Sequence, residues 1–322
     1  MNSRRKLLVA LGAGVLAAPL ASFAQQAREL LRVGYLGQLY FDMFQRHMRE
    51  LGYVDGSNIL IERRDEEGQR DRIPVLVREL VQQKVRVLVV PTNVAIEAAR
   101  EATATIPIVM VASIDPVAAG YVATLARPGR NITGVANLLR DLSAKRIEML
   151  REMFPRLSRL AILWDEEGPG PQIAFKNYET AAQALKVRFQ SLAIRGPKPE
   201  LEGAFRAANA GGAEVIIVVA NPMMFAHRAT VMALSRKHRL PLIGETAIYV
   251  DNGALASYGP SLSEISQRIA VYVDKILRGE KPADLPVEQP TKFDLTLNMK
   301  TAKALGIKIP QSILVQAGKV IE

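Results

Sequence analysis

Short runs of β-branched and aliphatic residues, separated by stretches of helical periodicity, confine this chain to parallel sheets built from βαβ units. A first series comprises Leu31–Leu36, Ile59–Arg63, Val85–Val90, Ile108–Ala112 and Ile132–Ala136. A second comprises Arg159–Trp164, Arg188–Ala193, Glu214–Val219, Leu242–Gly244 and Ala254–Tyr258. Runs such as Val85–Val90 are apolar at successive positions, as strands covered on both faces must be. Between them, Arg72–Lys84 carries Ile73, Leu76, Val77, Leu80 and Val81 on one face, with Asp71 placed to cap it. Leu262–Arg278 spaces Leu262, Ile265, Ile269, Val273 and Ile276 by threes and fours. Ser261 and Glu264 form a capping box at its start, and Gly279 follows its end. The two series span about 110 residues each, ordinary domain lengths, and suggest two similar α/β lobes. The break falls near Asn137–Leu142. Glu280–Phe293, with Pro282, Pro286 and Pro290, reads as an extended connection returning to the other lobe.

The N-terminus is built differently. Arg4, Arg5 and Lys6 precede an apolar run over Leu7–Ala18, followed by Pro19 and small residues to Ala24, which is the pattern of a cleaved secretory signal peptide over 1–24. The run is too short for a membrane span. Ser3-Arg4-Arg5-Lys6-Leu7-Leu8 fits a twin-arginine export motif and an ordinary signal n-region alike. Cleavage after Ala24 removes three basic residues and no acid, leaving 39 against 32, a balance of +7. The charge is dispersed: Glu62-Arg63-Arg64-Asp65-Glu66-Glu67 mixes both signs and reads as solvated surface. A nucleic-acid partner would demand a one-sign stripe with interleaved aromatics. The absence of cysteine excludes disulfides, thiolate metal sites, a thiol nucleophile and a lipidated cysteine anchor.

Catalytic motifs are sparse. His47, His227 and His238 fall in helical patterns flanked by Arg, Lys or Met and read as surface or edge residues, with no zinc-binding spacing. No nucleophile elbow, P-loop or dinucleotide fingerprint is present, and no cofactor or metal is expected. Small and polar residues do recur after the expected strands, where open α/β sheets bind ligands. They are Gln38, Thr92 and Asn93, and Ser113 and Asp115 in the first series, then Glu166, Asn221 and Glu245 in the second. Each could equally cap a helix or form a turn, and Thr92 and Asn93 could cap Val94–Ala102. Together they suit a zwitterion: helix N-termini for a carboxylate, and Asp115, Glu166 or Glu245 for an ammonium group. Tyr35 and Tyr40 could stack on an aromatic ligand or serve as packing.

The chain resembles the periplasmic solute-binding components of ABC transport systems that include tryptophan- and tyrosine-type binders. The resemblance rests on Glu50-Leu51-Gly52-Tyr53-Val54-Asp55-Gly56, Ile106-Pro107-Ile108-Val109, Leu125 through Gly134, Phe225-Ala226-His227-Arg228, Ser257-Tyr258-Gly259-Pro260, Tyr272 through Leu277 and Lys281 through Pro290. It implies a type I periplasmic-binding fold: two Rossmann-like lobes with parallel sheets, joined by three crossings and closing on a ligand in the cleft between them. Lobe 1 would hold 29–138 and 259–284, and lobe 2 would hold 139–258 and 285–322. The implied partners are a small-molecule ligand and an ABC permease in the inner membrane, for a monomer free in the periplasm. Two departures matter. Gly37-Gln38-Leu39-Tyr40 runs almost directly into the helix Phe41–Leu51, where the family has a longer loop. Trp164-Asp165-Glu166 replaces a Trp-Asn-Pro pattern and adds acid at the cleft mouth. A secreted enzyme using Asp115 or Glu166 as acid/base, and a ligand sensor for a membrane partner, remain as alternatives.

Overall fold

The computed structural model describes residues 30–113, 115–136, 142–167, 169–196 and 198–322. The expected signal peptide, and the expected break apart from Leu142, lie outside them. Two sheets organise the rest. The first has five parallel strands in the order β2-β1-β3-β4-β5, formed by β1 (Leu31–Leu36), β2 (Ile59–Arg64), β3 (Val87–Val90), β4 (Ile108–Ser113) and β5 (Ile132–Ala136). The helices α1 (Phe41–Glu50), α2 (Ile73–Gln82) and α3 (Asn93–Ala102) connect its strands.

The second sheet contains β6 (Arg159–Asp165), β7 (Arg188–Ile194), β8 (Val215–Val218), β9 (Leu242–Gly244), β10 (Ala256–Pro260), β11 (Phe293–Asn298) and β12 (Lys319–Ile321). Its order is β12-β11-β10-β9-β8-β6-β7, and the β10–β11 pair alone is antiparallel. Around it lie α4 (Ser143–Met153), α5 (Pro169–Ala184), α6 (Leu201–Ala210), α7 (Pro222–Ala226), α8 (Arg228–His238) and α9 (Ala247–Asp251). The chain finishes with α10 (Leu262–Leu277), α11 (Met299–Leu305) and α12 (Gln311–Gln316).

Each sheet is covered on both faces, which explains its unbroken apolar strands. β3 and β8 are buried at every position. On the first sheet, Val33, Tyr35, Val87 and Val109 face one cluster, while Leu36, Leu88, Val90 and Ile108 face another. The Tyr35 hydroxyl donates to the Leu39 carbonyl at 2.6 Å and its ring meets Phe41 edge-on, so Tyr35 is packing. The helix α10 follows β10 of the second sheet yet buries Leu262, Ile265, Ile269, Val273 and Ile276 in the first sheet's core. Leu285 joins that core too, and its carbonyl accepts from Thr133 Oγ1 at 2.7 Å. The chain therefore passes between the lobes after β5, before α10 and before β11.

Three local expectations change. Asp71 sits in a 3₁₀ turn over Arg70–Arg72, and Arg72 occupies the N-cap of α2 without a side-chain bond. Ser261 caps α10 without a side-chain hydrogen bond. Glu264 reaches instead to the returning chain, accepting from Thr291 Oγ1 at 2.8 Å and the Lys292 amide at 3.0 Å. The C-terminal signal holds: the Gly279 amide donates to Ile276 and the Glu280 amide to Lys275, a Schellman closure. Finally, Phe293 ends no connection but begins β11, an alternating strand beyond the proline-rich stretch.

Candidate functional site

Because both sheets are almost wholly parallel, the C-terminal ends of their strands gather polar loops at one edge of each. Between these edges lies a cavity of about 770 Å³, a size suited to a small molecule. The first lobe lines it with Gly37–Tyr40 after β1, Asp65–Arg70 after β2 and Pro91–Asn93 after β3. The second contributes Val219–Pro222 after β8 and Glu245 and Thr246 after β9. Leu39, Tyr40, Phe225, Leu262 and Ile265 add apolar surface. Burial pushes the Tyr40 hydroxyl up to about 12, so it stays protonated.

Gln38, Thr92, Asn93, Asn221 and Glu245 thus come together around one space. Thr92 Oγ1 accepts from the Ala95 amide at 3.2 Å and caps α3, in which Asn93 is the first residue. Asn221 Oδ1 accepts from the Met224 amide at 2.8 Å and caps α7. Gln38 Oε1 accepts from Arg63 Nη2 at 2.5 Å. Glu245 is heavily engaged: Oε1 accepts from Arg146 Nη1 at 2.9 Å and the Tyr178 hydroxyl at 2.7 Å, and Oε2 from the Ala220 amide at 2.8 Å. Arg146 Nε also donates to the Tyr258 carbonyl at 2.7 Å. With three of its roughly four lone-pair sites committed to this network, Glu245 orders the second lobe's edge and has one site left for a ligand.

Of the remaining expected residues, Asp115 and Glu166 stand elsewhere. Ser113 closes β4 opposite Ala136. Asp115 is exposed, in left-handed backbone at φ 45°, and its Oδ1 accepts from the Ala118 amide at 3.0 Å. Glu166 pairs with Arg195 at 3.1 Å. Neither acid is among the described residues lining the cavity.

The lobes touch across the cavity. Arg70 Nη2 meets Asp165 Oδ2 at 2.6 Å, and the Asp165 side chain is 1 % exposed. Burial pushes the Asp165 carboxyl above its usual range, with the Glu167 amide and Arg70 offsetting only part of that rise. Beside this pair, a Cβ placed on Gly68 would lie 3.1 Å from the Ala226 Cβ and 3.3 Å from the Met223 Cα. Glycine permits that approach, and also the φ of 76° found there.

The family model for ABC transporter substrate binding proteins matches residues 39–321. The chain belongs to that family. This substrate-binding protein is 23 % identical over 265 residues to a tyrosine-binding protein of Clostridioides difficile, a match covering 82 % of this chain and 76 % of the relative. Its fold is similar to a conserved domain protein from Vibrio cholerae, with TM-score 0.81, 24 % identity and coverage of 91 % of this chain and 100 % of the other. It is also similar to an ABC domain from Streptococcus pneumoniae solved with L-Trp, with TM-score 0.80, 23 % identity and coverage of 91 % and 100 %. The expected two-lobed, type I periplasmic-binding architecture is the one observed.

In this substrate-binding protein, several cavity residues lie outside the set expected from the sequence. Glu66 belongs to the charged run that reads as solvated surface, yet it is 6 % exposed. Its Oε2, Asn221 Nδ2 and the Tyr249 hydroxyl are buried without hydrogen-bond partners among the described residues. Arg146 lies in the first turn of α4 and Tyr249 within α9, so neither directly follows a strand. His227, expected at a surface or edge, lines the cavity between α7 and α8. Among the described residues, no cluster of three His, Asp or Glu could hold a metal, and no helix is long and apolar enough to cross a membrane.

Proposed function

We propose that this protein captures a small, amino-acid-like solute outside the cytoplasm and delivers it to an ABC permease in the inner membrane. The observation that carries the reading is the cavity itself: both lobes present strand ends and helix starts to one space, and each contributes buried polar atoms with no partner of their own. A ligand touching both sides stabilises the closed arrangement by its differential affinity for it, which is how capture by hinge closure works. Gln38, Thr92, Asn93 and Asn221 stand nearest this role, and Glu245 supports it from behind. Ser113, at the end of β4, stays a candidate contact, while Asp115 and Glu166 would contact ligand only after the loops that hold them rearrange. The tyrosine-binding relative and the fold neighbour solved with L-Trp turn the solute class toward aromatic amino acids, and the apolar walls suit an aromatic side chain. The signal-like segment over 1–24 supports a periplasmic location, and the reading takes the working unit to be a monomer. The expected lobes, 29–138 with 259–284 and 139–258 with 285–322, fit this reading except that Leu285 packs in the first lobe's core and Gly259 and Pro260 pair within the second sheet.

The test is thermal unfolding of the purified protein against the twenty L-amino acids and related metabolites. A ligand at a thousand times its Kd adds about 4 kcal/mol, which moves the midpoint by several degrees. A shift confined to one chemical class, with the ligand recovered unchanged, supports capture. Flat curves across the whole panel would sink the reading, and chemical turnover of any member would replace it with an enzyme.

A further inference from the structure

Glu66 is the acid of its loop that is left without an arginine. Asp65 pairs with Arg63 at 2.6 Å, Glu67 with Arg72 at 2.6 Å, and Arg70 leaves the loop altogether to meet Asp165 across the cavity. Glu66 has no ion-pair partner among the described residues. Its carboxylate is wedged at the ends of β1 and β3, where a Cβ added at Gly37 would stand 3.4 Å from Oε2 and 3.5 Å from Pro91 Cγ. All three residues line the cavity.

A carboxylate buried without a partner is costly, and structural carboxylates are therefore found paired. Burial pushes the Glu66 carboxyl above its usual range and Asp65 adds to this, while its own amide, Arg63 and Arg72 offset part of the rise. The opposite lobe is complementary in kind. Asn221 Nδ2 is a donor, its own Oδ1 being occupied by the cap, and the Tyr249 hydroxyl can also donate. The cavity thus offers an unsatisfied anionic acceptor on one lobe and unsatisfied donors on the other.

We propose that Glu66 is the residue that selects the solute's charge: its Oε2 accepts from a protonated amine, while Asn221 Nδ2 and the Tyr249 hydroxyl receive the solute's carboxylate. The assignment rests on the capture function proposed above and narrows it to amine-bearing zwitterions. It also divides the two ends of the ligand between the two lobes, so that a molecule lacking either end leaves one lobe's groups unsatisfied.

The experiment is calorimetric titration of the purified protein with L-tyrosine, with 3-(4-hydroxyphenyl)propanoate, which lacks the amine, and with tyramine, which lacks the carboxylate. The strongest L-amino acid of the unfolding panel and its deaminated acid are run beside them. In the unaltered protein the amino acid binds about 10- to 100-fold more tightly than its deaminated acid, the range expected for a hydrogen bond to a charged group. Glu66→Gln lowers affinity for the amino acid by a similar factor and removes the preference over the deaminated acid. Without ligand, Glu66→Gln melts at the same temperature or higher, because it discards an unpaired buried charge. Glu66→Gln binding the amino acid as tightly as the unaltered protein overturns the assignment. So does a ligand-free melting point lowered by several degrees, which marks a structural role. Equal binding of the deaminated acid by the unaltered protein overturns Glu66 and leaves capture standing. Binding of none of these probes removes both.

Discussion

Glu245 and Glu66 line the same cavity, but Arg146, Tyr178 and the Ala220 amide surround the first, while the second has a bare oxygen. The difference can be measured by removing one charge at a time. Arg146→Met leaves Glu245 without its cation in a site where the arginine side chain is 7 % exposed and the glutamate 16 %. We expect a loss of about 3 kcal/mol in urea unfolding, partly recovered when Glu245→Gln is added. Glu66 should act in the opposite sense. Its folded-state pKa is raised, so its favourable contribution is complete below the ordinary carboxylate range and is lost as pH rises through the raised value. The ligand-free melting points of the parent protein and Glu66→Gln should converge in acid and separate toward neutral pH, with the variant higher; parallel curves would refute this. Neither behaviour is readable from the sequence. Glu66 lies in a run of mixed charges that looks uniformly solvated, and it is the burial of one member, set by the turn after β2, that makes it distinct. Gln38, Thr92, Asn93 and Asn221 were legible because a parallel sheet fixes where its loops go, whatever their composition.

Among the elements, α10 and β11 show how far pattern reading reaches. The buried face of α10 follows from the spacing of Leu262, Ile265, Ile269, Val273 and Ile276, and its glycine stop is where the sequence puts it. Its start is different, since Glu264 bonds Thr291 and Lys292 across the connection and so ties the helix to the entry of β11. Burial pushes the Glu264 carboxyl up, but hydrogen bonds from Thr291 and Lys292, with Arg268 nearby, outweigh it and hold the carboxyl below its usual range. That stability is present above the ordinary carboxylate range and disappears as pH falls through the lowered folded value. Glu264→Gln should therefore cost about 1–2 kcal/mol near neutrality and almost nothing in strong acid, as read by chemical unfolding at the two pH values. The β11 strand escapes the sequence because Phe293-Asp294-Leu295-Thr296-Leu297-Asn298 alternates, follows three prolines and pairs antiparallel with β10. An antiparallel partner is foreign to a βαβ series. β12 has three residues, too few for any periodicity to register.

For the whole molecule, the Gly68 approach and the Arg70–Asp165 pair are contacts between the lobes that can be altered singly. Gly68→Ala sets a methyl group against Ala226 and Met223 and disfavours the φ of 76°. It should hold the lobes apart, giving a larger radius of gyration in X-ray scattering and weaker solute binding, with each lobe's core intact. Arg70→Ala should also favour the open arrangement by leaving Asp165 buried without its cation. An unchanged scattering curve for both variants would show that these contacts do not govern closure. The interleaving of the lobes has a further consequence, for the order in which the protein is made. One face of the sheet that β1 begins, already packed by α1, is not fully covered until α10 emerges from the ribosome, and β10 gains its outer neighbour only with β11, close to the C-terminus. Neither half can finish folding until most of the chain has been synthesised. Nearly the whole polypeptide must be made before either lobe can close over its core.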